Sequence, residues 1–262
     1  MNQSFYVGAL GAANGTKKLS VIANNLANVN TNGFNPKTAV FSELVNYNVN
    51  GAPEEVTELQ AGAGMKVQRT YTSFDASTQT QTGNRFDYAI SEPNAFFMVQ
   101  DPVSGEITYT RNGHFRRGER EDGFYLVTES GKLVLDQNQE PLKAEVPDVD
   151  KIQGEMSEDY DYEEEEEDDV DEEDRPRISL YTFSNPSRLM SVGDQEYVPV
   201  DADAEPILLV RPSIVRGALE SSGTDFAKEM VRMIECQRAF TYALRMVSTS
   251  DEIEGTINTL RG

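Results

Sequence analysis

The sequence is poor in the residues that most often carry chemistry: it has one cysteine, one histidine and no tryptophan. A single cysteine excludes an intramolecular disulfide, and a single histidine excludes a metal site built from several imidazole ligands. Cys236 lies close to an apolar helical row, so we expect a buried and unreactive thiol. His114 follows Asn112-Gly113, a turn sequence, and is expected to be an exposed turn residue.

Motifs for nucleotide or acyl chemistry are also missing. Gly62 and Gly64 precede no Lys-Ser/Thr pair, so they form no phosphate loop, and no G-x-S-x-G sequence occurs. An enzyme would have to work with carboxylates alone, as glycosidases do, and without a tryptophan platform for a sugar. We therefore expect no catalytic residue, no metal, no cofactor and no small-molecule substrate.

Positive charge is scarce, and most of the excess negative charge lies in one segment. The formal net charge is -22, but residues 155–174 hold fifteen Asp or Glu and no Lys or Arg, leaving thirty acidic and twenty-three basic residues elsewhere. Without a basic cluster, nucleic acid and anionic membrane are not expected partners. The acidic run is predicted to be a disordered, solvated loop. Calcium capture is the alternative, although the run has no bending glycine.

Long apolar runs are absent as well. No stretch approaches eighteen consecutive apolar residues, so no membrane-spanning segment is predicted. The segment 1–15 has no Lys or Arg and no long apolar core, and it is therefore not expected to be a cleaved secretory signal.

Small and apolar residues near the start recur in steps of three and four, which places them along one face of a helix. They are Phe5, Gly8, Ala12, Gly15, Leu19, Ile22, Leu26 and Val29. Because glycine costs roughly 1 kcal/mol relative to alanine inside a helix, two interpretations remain open. The helix begins only near Thr16, or its glycines let a partner helix approach closely. Asn30 to Gly33 should end it, since glycine suits the left-handed C-cap.

A second helical pattern occupies the C-terminus, with Ser222 or Thr224 as its predicted cap. Its apolar row is Phe226, Met230, Met233, Phe240, Leu244 and Val247, followed after a phase shift by Ile253, Ile257 and Leu260. The segment is about 36 residues, or roughly 54 Å of helix. A helix this long with a narrow apolar row usually pairs with another helix, and the N-terminal one is the candidate within the chain. Packing on the central region is the alternative.

The region between the helices is predicted to be an antiparallel β-domain. The predicted strands are 66–74, 86–91, 95–100, 107–111, 124–128, 132–135, 178–183 and 207–215. The expected fold class is therefore α+β. It comprises a discontinuous coiled-coil domain of terminal helices (1–33 and 217–262), an extended connector (34–65) and a central β-domain (66–216) that includes the acidic run.

The segment from Leu19 to Phe34, LSVIANNLANVNTNGF, closely resembles the signature of the flagellar basal-body rod and hook protein family. Further similar stretches are 81–90, 95–100 and 109–115 in the central region, and 217–226, 229–240 and 250–253 near the C-terminus. One departure is Asn94-Ala95, which stands where the family usually has a glycine. The turn there is expected to differ locally.

The resemblance implies a structural subunit that polymerises through its terminal helices to form the axial drive shaft and export channel. Expected partners are copies of itself, other rod and hook proteins and the flagellar export apparatus. The expected location is the basal body outside the cytoplasmic membrane, reached by type III export without signal cleavage. The chain length favours rod over hook, and the motifs favour distal over proximal rod.

The residues expected to form the assembly interface lie on the two terminal helices. They are Leu19, Ile22, Asn24, Asn25, Leu26, Asn28, Val29, Phe226, Met230, Met233, Phe240, Leu244 and Val247. Exposed asparagines on a helix offer both a donor and an acceptor to a neighbouring backbone. Two other functions remain as alternatives: an extracytoplasmic binding module that uses the acidic run, and a carboxylate-only hydrolase of the cell wall.

Overall fold

A computed structural model describes residues 3–44, 47–48, 60–120, 122–144, 178–200, 204–210 and 212–261. The chain divides into two units, one of residues 1–73 with 222–262 and the other of residues 74–221. The sequence had placed these boundaries at 65/66 and 216/217. The acidic run 155–174, predicted to be a disordered loop, lies outside the described residues. Helices and antiparallel strands make the chain an α+β protein, as predicted.

The first unit begins with helix α1, Gln3–Ala27. It includes Gly8 and Gly15 of the N-terminal pattern and also Gly11, so the interpretation in which the helix begins near Thr16 is wrong. Turns follow α1, and Gly33 adopts a φ of 66°, the left-handed conformation predicted for it.

The second helix of this unit is α2, Phe226–Arg261, with 36 residues. Its first turn is capped by Asp225, whose carboxylate oxygen Oδ1 accepts a hydrogen bond from the Lys228 N–H at 3.0 Å. Thr224 and Ser222, the predicted caps, lie one and three residues earlier, so that prediction is wrong. An aspartate is the favoured choice because its charge also complements the positive end of the helix dipole. Neither described helix is long and apolar enough to cross a membrane.

Much of the predicted connector is a β-hairpin of the first unit. Strand β1, Lys37–Glu43, pairs antiparallel with β4, Met65–Thr72, and the register shifts between Val40 and Phe41. The short strands β2, Tyr47–Asn48, and β3, Gln60–Ala61, pair with each other. Lys66, expected to begin the central β-domain, therefore lies on this hairpin instead.

The second unit is built of short strands, all paired antiparallel. They are β5 (Gln79–Gln81), β6 (Tyr88–Ile90), β7 (Ala95–Gln100), β8 (Ile107–Thr110), β9 (Arg116–Arg120), β10 (Gly123–Val127), β11 (Leu133–Val134), β12 (Leu180–Thr182), β13 (Leu189–Gly193), β14 (Glu196–Pro199), β15 (Ile207–Leu208), β16 (Ile214–Arg216) and β17 (Ala218–Glu220). The main sheet has the order β13-β14-β8-β7-β11-β10-β9, and β12 pairs with both β7 and β15. The pairs β6/β16 and β5/β17 form separate two-stranded ribbons.

Strand β7 lies at the centre of the core. Its alternating side chains enter two apolar clusters: Phe97 and Val99 pack with Phe115 in one, whereas Phe96 and Met98 belong to the other. Because neighbouring side chains of a strand point to opposite faces, an uninterrupted apolar run such as AFFMV buries both faces of the sheet.

A buried ion pair also stabilises the second unit. Arg111 and Glu220 are almost completely buried, and the guanidinium donates to both carboxylate oxygens, at 3.0 Å from Nε and 2.8 Å from Nη2. Arg111 also donates to the Ala95 carbonyl oxygen at 2.9 Å, and Glu220 accepts the Ser77 N–H at 2.9 Å. These added hydrogen bonds offset part of the cost of removing both charges from water.

Candidate assembly interface

Helices α1 and α2, from opposite ends of the sequence, pack against each other in the first unit. A Cβ atom added at Gly8 would lie 3.0 Å from Val247 Cγ2, and one added at Gly15 would lie 3.6 Å from the Phe240 ring. Residue numbers rise along α1 as they fall along α2, so the helices are antiparallel. The α1 glycines therefore permit the close approach of a partner helix that the sequence suggested, and the partner is α2 of the same chain.

The face of α2 that meets α1 has the spacing of a coiled-coil seam. Buried or half-buried positions fall in alternating steps of four and three. They are 229, 233, 236, 240, 243, 247 and 250. Cys236 lies within this seam, and its Sγ is 3.4 Å from the Gly15 carbonyl oxygen. Burial raises the pKa of the Cys236 thiol, and nearby Lys18 opposes this in part. A neutral thiol among packed side chains is the inert residue that the sequence predicted.

The predicted interface residues fall into two groups. Half-buried or buried within the first unit are Leu19, Ile22, Asn25, Leu26, Asn28, Val29, Met233, Phe240 and Val247. Exposed are Asn24, Phe226, Met230 and Leu244. A single apolar row was predicted for α2, but its members lie on two neighbouring faces. The seam uses Cys236 and Ala243 between Met233 and Val247, whereas Met230 and Leu244 lie outside it.

The asparagines differ in what they contact. Asn25 is almost fully buried, and its side-chain amide binds both backbone groups of Lys37: Nδ2 donates to the carbonyl oxygen at 2.8 Å and Oδ1 accepts the N–H at 2.9 Å. Asn28 donates to the Asn24 carbonyl oxygen at 2.9 Å, closing the end of α1. Both polar groups of the Asn25 amide are therefore hydrogen-bonded within the chain, whereas the side chain of Asn24 is exposed.

Sequence reasoning missed one such contact. Asn14 is buried, and its Nδ2 donates to the Met65 carbonyl oxygen at 2.7 Å while its Oδ1 accepts the Val67 N–H at 3.4 Å. The side chains of Asn14 and Asn25 therefore hold the β1/β4 hairpin against α1 by hydrogen bonds to its backbone. A polar residue inside an otherwise apolar helical face was the available signal, but its partner strand had not been predicted.

The histidine lies in the second unit and is not the exposed turn residue that was expected. Its Nδ1 is 2.8 Å from Oδ1 of the buried Asp87, and Asp87 also accepts hydrogen bonds from the Thr82 hydroxyl and the Asn84 amide. His114 is half-buried because an isolated β-bridge joins it to Asp87. Among the described residues, no group of three or more His, Cys, Asp or Glu could hold a metal ion.

Three stretches of the chain match known protein families. Residues 5–35 match "Flagella basal body rod protein", residues 91–158 match "Flagellar hook protein FlgE/F/G D1 domain", and residues 215–260 match "Flagellar basal body rod FlgEFG protein C-terminal". The first and third matches contain most of α1 and most of α2, the two helices that form the seam.

Similar full-length proteins agree with these matches. The flagellar basal-body rod protein FlgG of Buchnera aphidicola subsp. Schizaphis graminum is 30% identical over 247 residues, which is 90% of each chain. FlgG of Borreliella burgdorferi is 28% identical over 100% of this chain and 99% of its own. The rod protein FlgF of Mesorhizobium japonicum is 28% identical over 98% of both. The chain belongs to the flagellar basal-body rod protein family, and it is a structural protein of the flagellum.

Proposed function

We propose that this protein is a rod subunit that polymerises through the exposed faces of α1 and α2, forming the axial drive shaft and the export channel. One observation carries the proposal: α1 and α2 bury one face against each other, yet α2 keeps large apolar residues in water. Phe226, Met230 and Leu244 expose 54%, 36% and 45% of their surface. An exposed apolar row on a long helix favours contact with further helices.

The proposed partners are copies of the same chain, other rod and hook proteins, and the export apparatus that delivers them. Assembly takes place outside the cytoplasmic membrane. The N-terminal residues are retained in the assembled protein, because Gly8 and Gly15 supply one side of the α1–α2 seam. Removal of the first fifteen residues would leave Val247 and Phe240 without these neighbours.

The substitution Leu244→Asp tests the proposal. It adds a charge to an exposed position of α2, so the chain should still fold, but a charge buried at a subunit contact is costly. In a host strain lacking the wild-type chain, the variant should be produced and should fail to form rods or restore swimming. Purified protein should keep the circular dichroism of the wild type.

The matched control is Val103→Asp, the same chemical change in a turn of the second unit where the side chain is 94% exposed. It should assemble normally. Rods of normal length and yield from the Leu244→Asp strain would refute polymerisation through this face of α2.

A further inference from the structure

Helix α2 carries a second apolar row that the α1–α2 seam does not use. Its positions follow steps of four, three, four, four and three residues, which keep them on one side of the helix. We call them the outer row: Tyr242, Met246, Thr249, Ile253, Ile257 and Leu260. The five large members expose between 44% and 82% of their surface. At 100° per residue, the outer row points away from Phe240 and Val247, the residues that face α1.

Helix α1 exposes a complementary surface. The same sequence of steps runs through exposed positions whose side chains are short. We call these the small face: Ala9, Ala13, Thr16, Ser20, Asn24 and Ala27. Both rows span eighteen positions, or about 27 Å of helix. Large side chains of one helix fit against short side chains of another because the two backbones can then approach closely.

Charge supports the same pairing. Helix α1 carries Lys17 and Lys18 and no acidic residue, whereas the last third of α2 carries Asp251, Glu252 and Glu254. When the small face is laid antiparallel on the outer row, with Ala9 beside Leu260 and Ala27 beside Tyr242, the exposed Lys17 lies on the same side of the paired rows as Glu254 and within one helical turn of it. An opposite charge pair at this place fixes the register of two otherwise apolar rows.

One chain cannot make this contact with itself. Within the chain, Gly8 lies against Val247 and Ala243. Leu260 is therefore about thirteen residues, or roughly 20 Å, further along α2 than the part that faces the start of α1. The two surfaces are different and lie on different helices, so each copy can offer both at once. Such a heterologous contact does not close into a dimer but continues from copy to copy.

We propose that the outer row of α2 docks on the small face of α1 in a neighbouring copy, with the chains antiparallel in these helices and Lys17 beside Glu254. This inference rests on the proposed function and adds a second contact between copies, on a face of α2 other than the one that carries Leu244. It also identifies α1 as the receiving helix, although α1 itself exposes few large apolar side chains.

Disulfide trapping in assembled rods tests the contact. In a Cys236→Ser background, Ala9→Cys is combined with Leu260→Cys, and basal bodies are oxidised and run on a non-reducing gel. The expected result is a ladder of dimers, trimers and longer chains that dithiothreitol removes. The control pairs Ala9→Cys with Ser248→Cys, an exposed α2 position off the outer row, and should give no ladder. Rods without a ladder for the first pair, or equal ladders for both pairs, would overturn the proposal.

Charge exchange gives a second readout that needs no cysteine. Lys17→Glu and Glu254→Lys should each lower the number of rods per cell severalfold, and the double variant should restore most of the loss. No recovery in the double variant would contradict the register. Absence of the wild-type chain from isolated rods would instead refute the proposed function, so the two failures are distinguishable.

Discussion

The α1–α2 seam predicts opposite effects for the same substitution at two neighbouring glycines. Replacing glycine by alanine inside a helix stabilises the helix by about 0.5–1 kcal/mol. At Gly11 the new methyl group would lie 3.6 Å from the Ala243 Cβ, an ordinary contact. Gly11→Ala should therefore stabilise the first unit by about 0.5–1 kcal/mol.

At Gly8 the methyl group would lie 3.0 Å from Val247 Cγ2 and 3.2 Å from the Ala243 carbonyl oxygen. The carbon contact is about 0.5 Å shorter than the usual minimum, and the oxygen belongs to the backbone and cannot rotate away. Overpacking of this kind costs about 1–3 kcal/mol, which outweighs the gain in helix propensity. Gly8→Ala should therefore destabilise the unit by about 1 kcal/mol. Its free energy of unfolding would then lie roughly 2 kcal/mol below that of Gly11→Ala.

Thermal unfolding followed by circular dichroism at 222 nm measures the difference. The helical signal comes mainly from α1 and α2, since the rest of the described chain is strand and turn. A gap of about 2 kcal/mol corresponds to roughly 8 °C between the two midpoints for a unit of this size. Equal midpoints, or a more stable Gly8→Ala variant, would mean that α1 and α2 are not as close at Gly8 as the structure has them.

Three further predictions concern the second unit. Arg111→Met leaves the buried Glu220 carboxylate unpaired and should cost about 3–5 kcal/mol in urea unfolding. Gly113→Ala places a methyl group 1.8 Å from the Tyr88 carbonyl oxygen, so it should cost about 3 kcal/mol or more in the same assay. Burial raises the pKa of Tyr109 to about 12, with a smaller contribution from the neighbouring Tyr181. The folded state therefore holds this proton more tightly than the unfolded state, whose tyrosines titrate near 10. Stability should be unaffected below pH ~10 and fall as the pH rises towards ~12.

Each of these predictions has its own control. Glu220→Leu added to Arg111→Met removes the stranded charge and should recover much of the loss; an equally unstable double variant would contradict the argument. Gly255→Ala, in open space on α2, should not destabilise. Tyr109→Phe should weaken the alkaline loss of stability, and an unchanged pH profile would point to other groups.

Periodicity was enough to predict the elements whose burial repeats along the sequence. Helix α2 and strand β7 are of this kind, because the helix has apolar residues every three or four positions and the strand has five consecutive apolar residues. The hairpin of β13 and β14 was missed. Its two-residue turn is Asp194-Gln195, and both residues have positive φ, 45° and 59°. Such turns are usually recognised by Asn-Gly, so Asp-Gln gave no signal.

Two further features could not be predicted from the sequence: the conformation of Asn94 and the partner of Arg111. Asn94 belongs to the Asn94-Ala95 pair, which stands where the family resemblance implies a glycine, and it has a φ of 58°. Asparagine tolerates this left-handed conformation better than most residues. The partner of Arg111 could not be predicted, because Glu220 is far away in sequence and belongs to the segment assigned to the terminal domain. Charge pairing across such a separation leaves no local pattern.

Under the proposed assembly, the adjacent asparagines give one motif two roles, one in folding and one in contacts between copies. Successive residues of a helix point about 100° apart, so Asn24 and Asn25 cannot share a face. Asn25 faces the β1/β4 hairpin, and its side-chain NH₂ and carbonyl oxygen both form hydrogen bonds with the backbone of Lys37. Asn24 belongs to the small face of α1. A change at Asn25 therefore acts first on the fold of the subunit, and a change at Asn24 acts first on its contacts. Asparagine suits both positions because its amide can donate and accept at once: Asn25 does so towards the hairpin backbone, and in the proposed contact Asn24 does so towards a neighbouring copy.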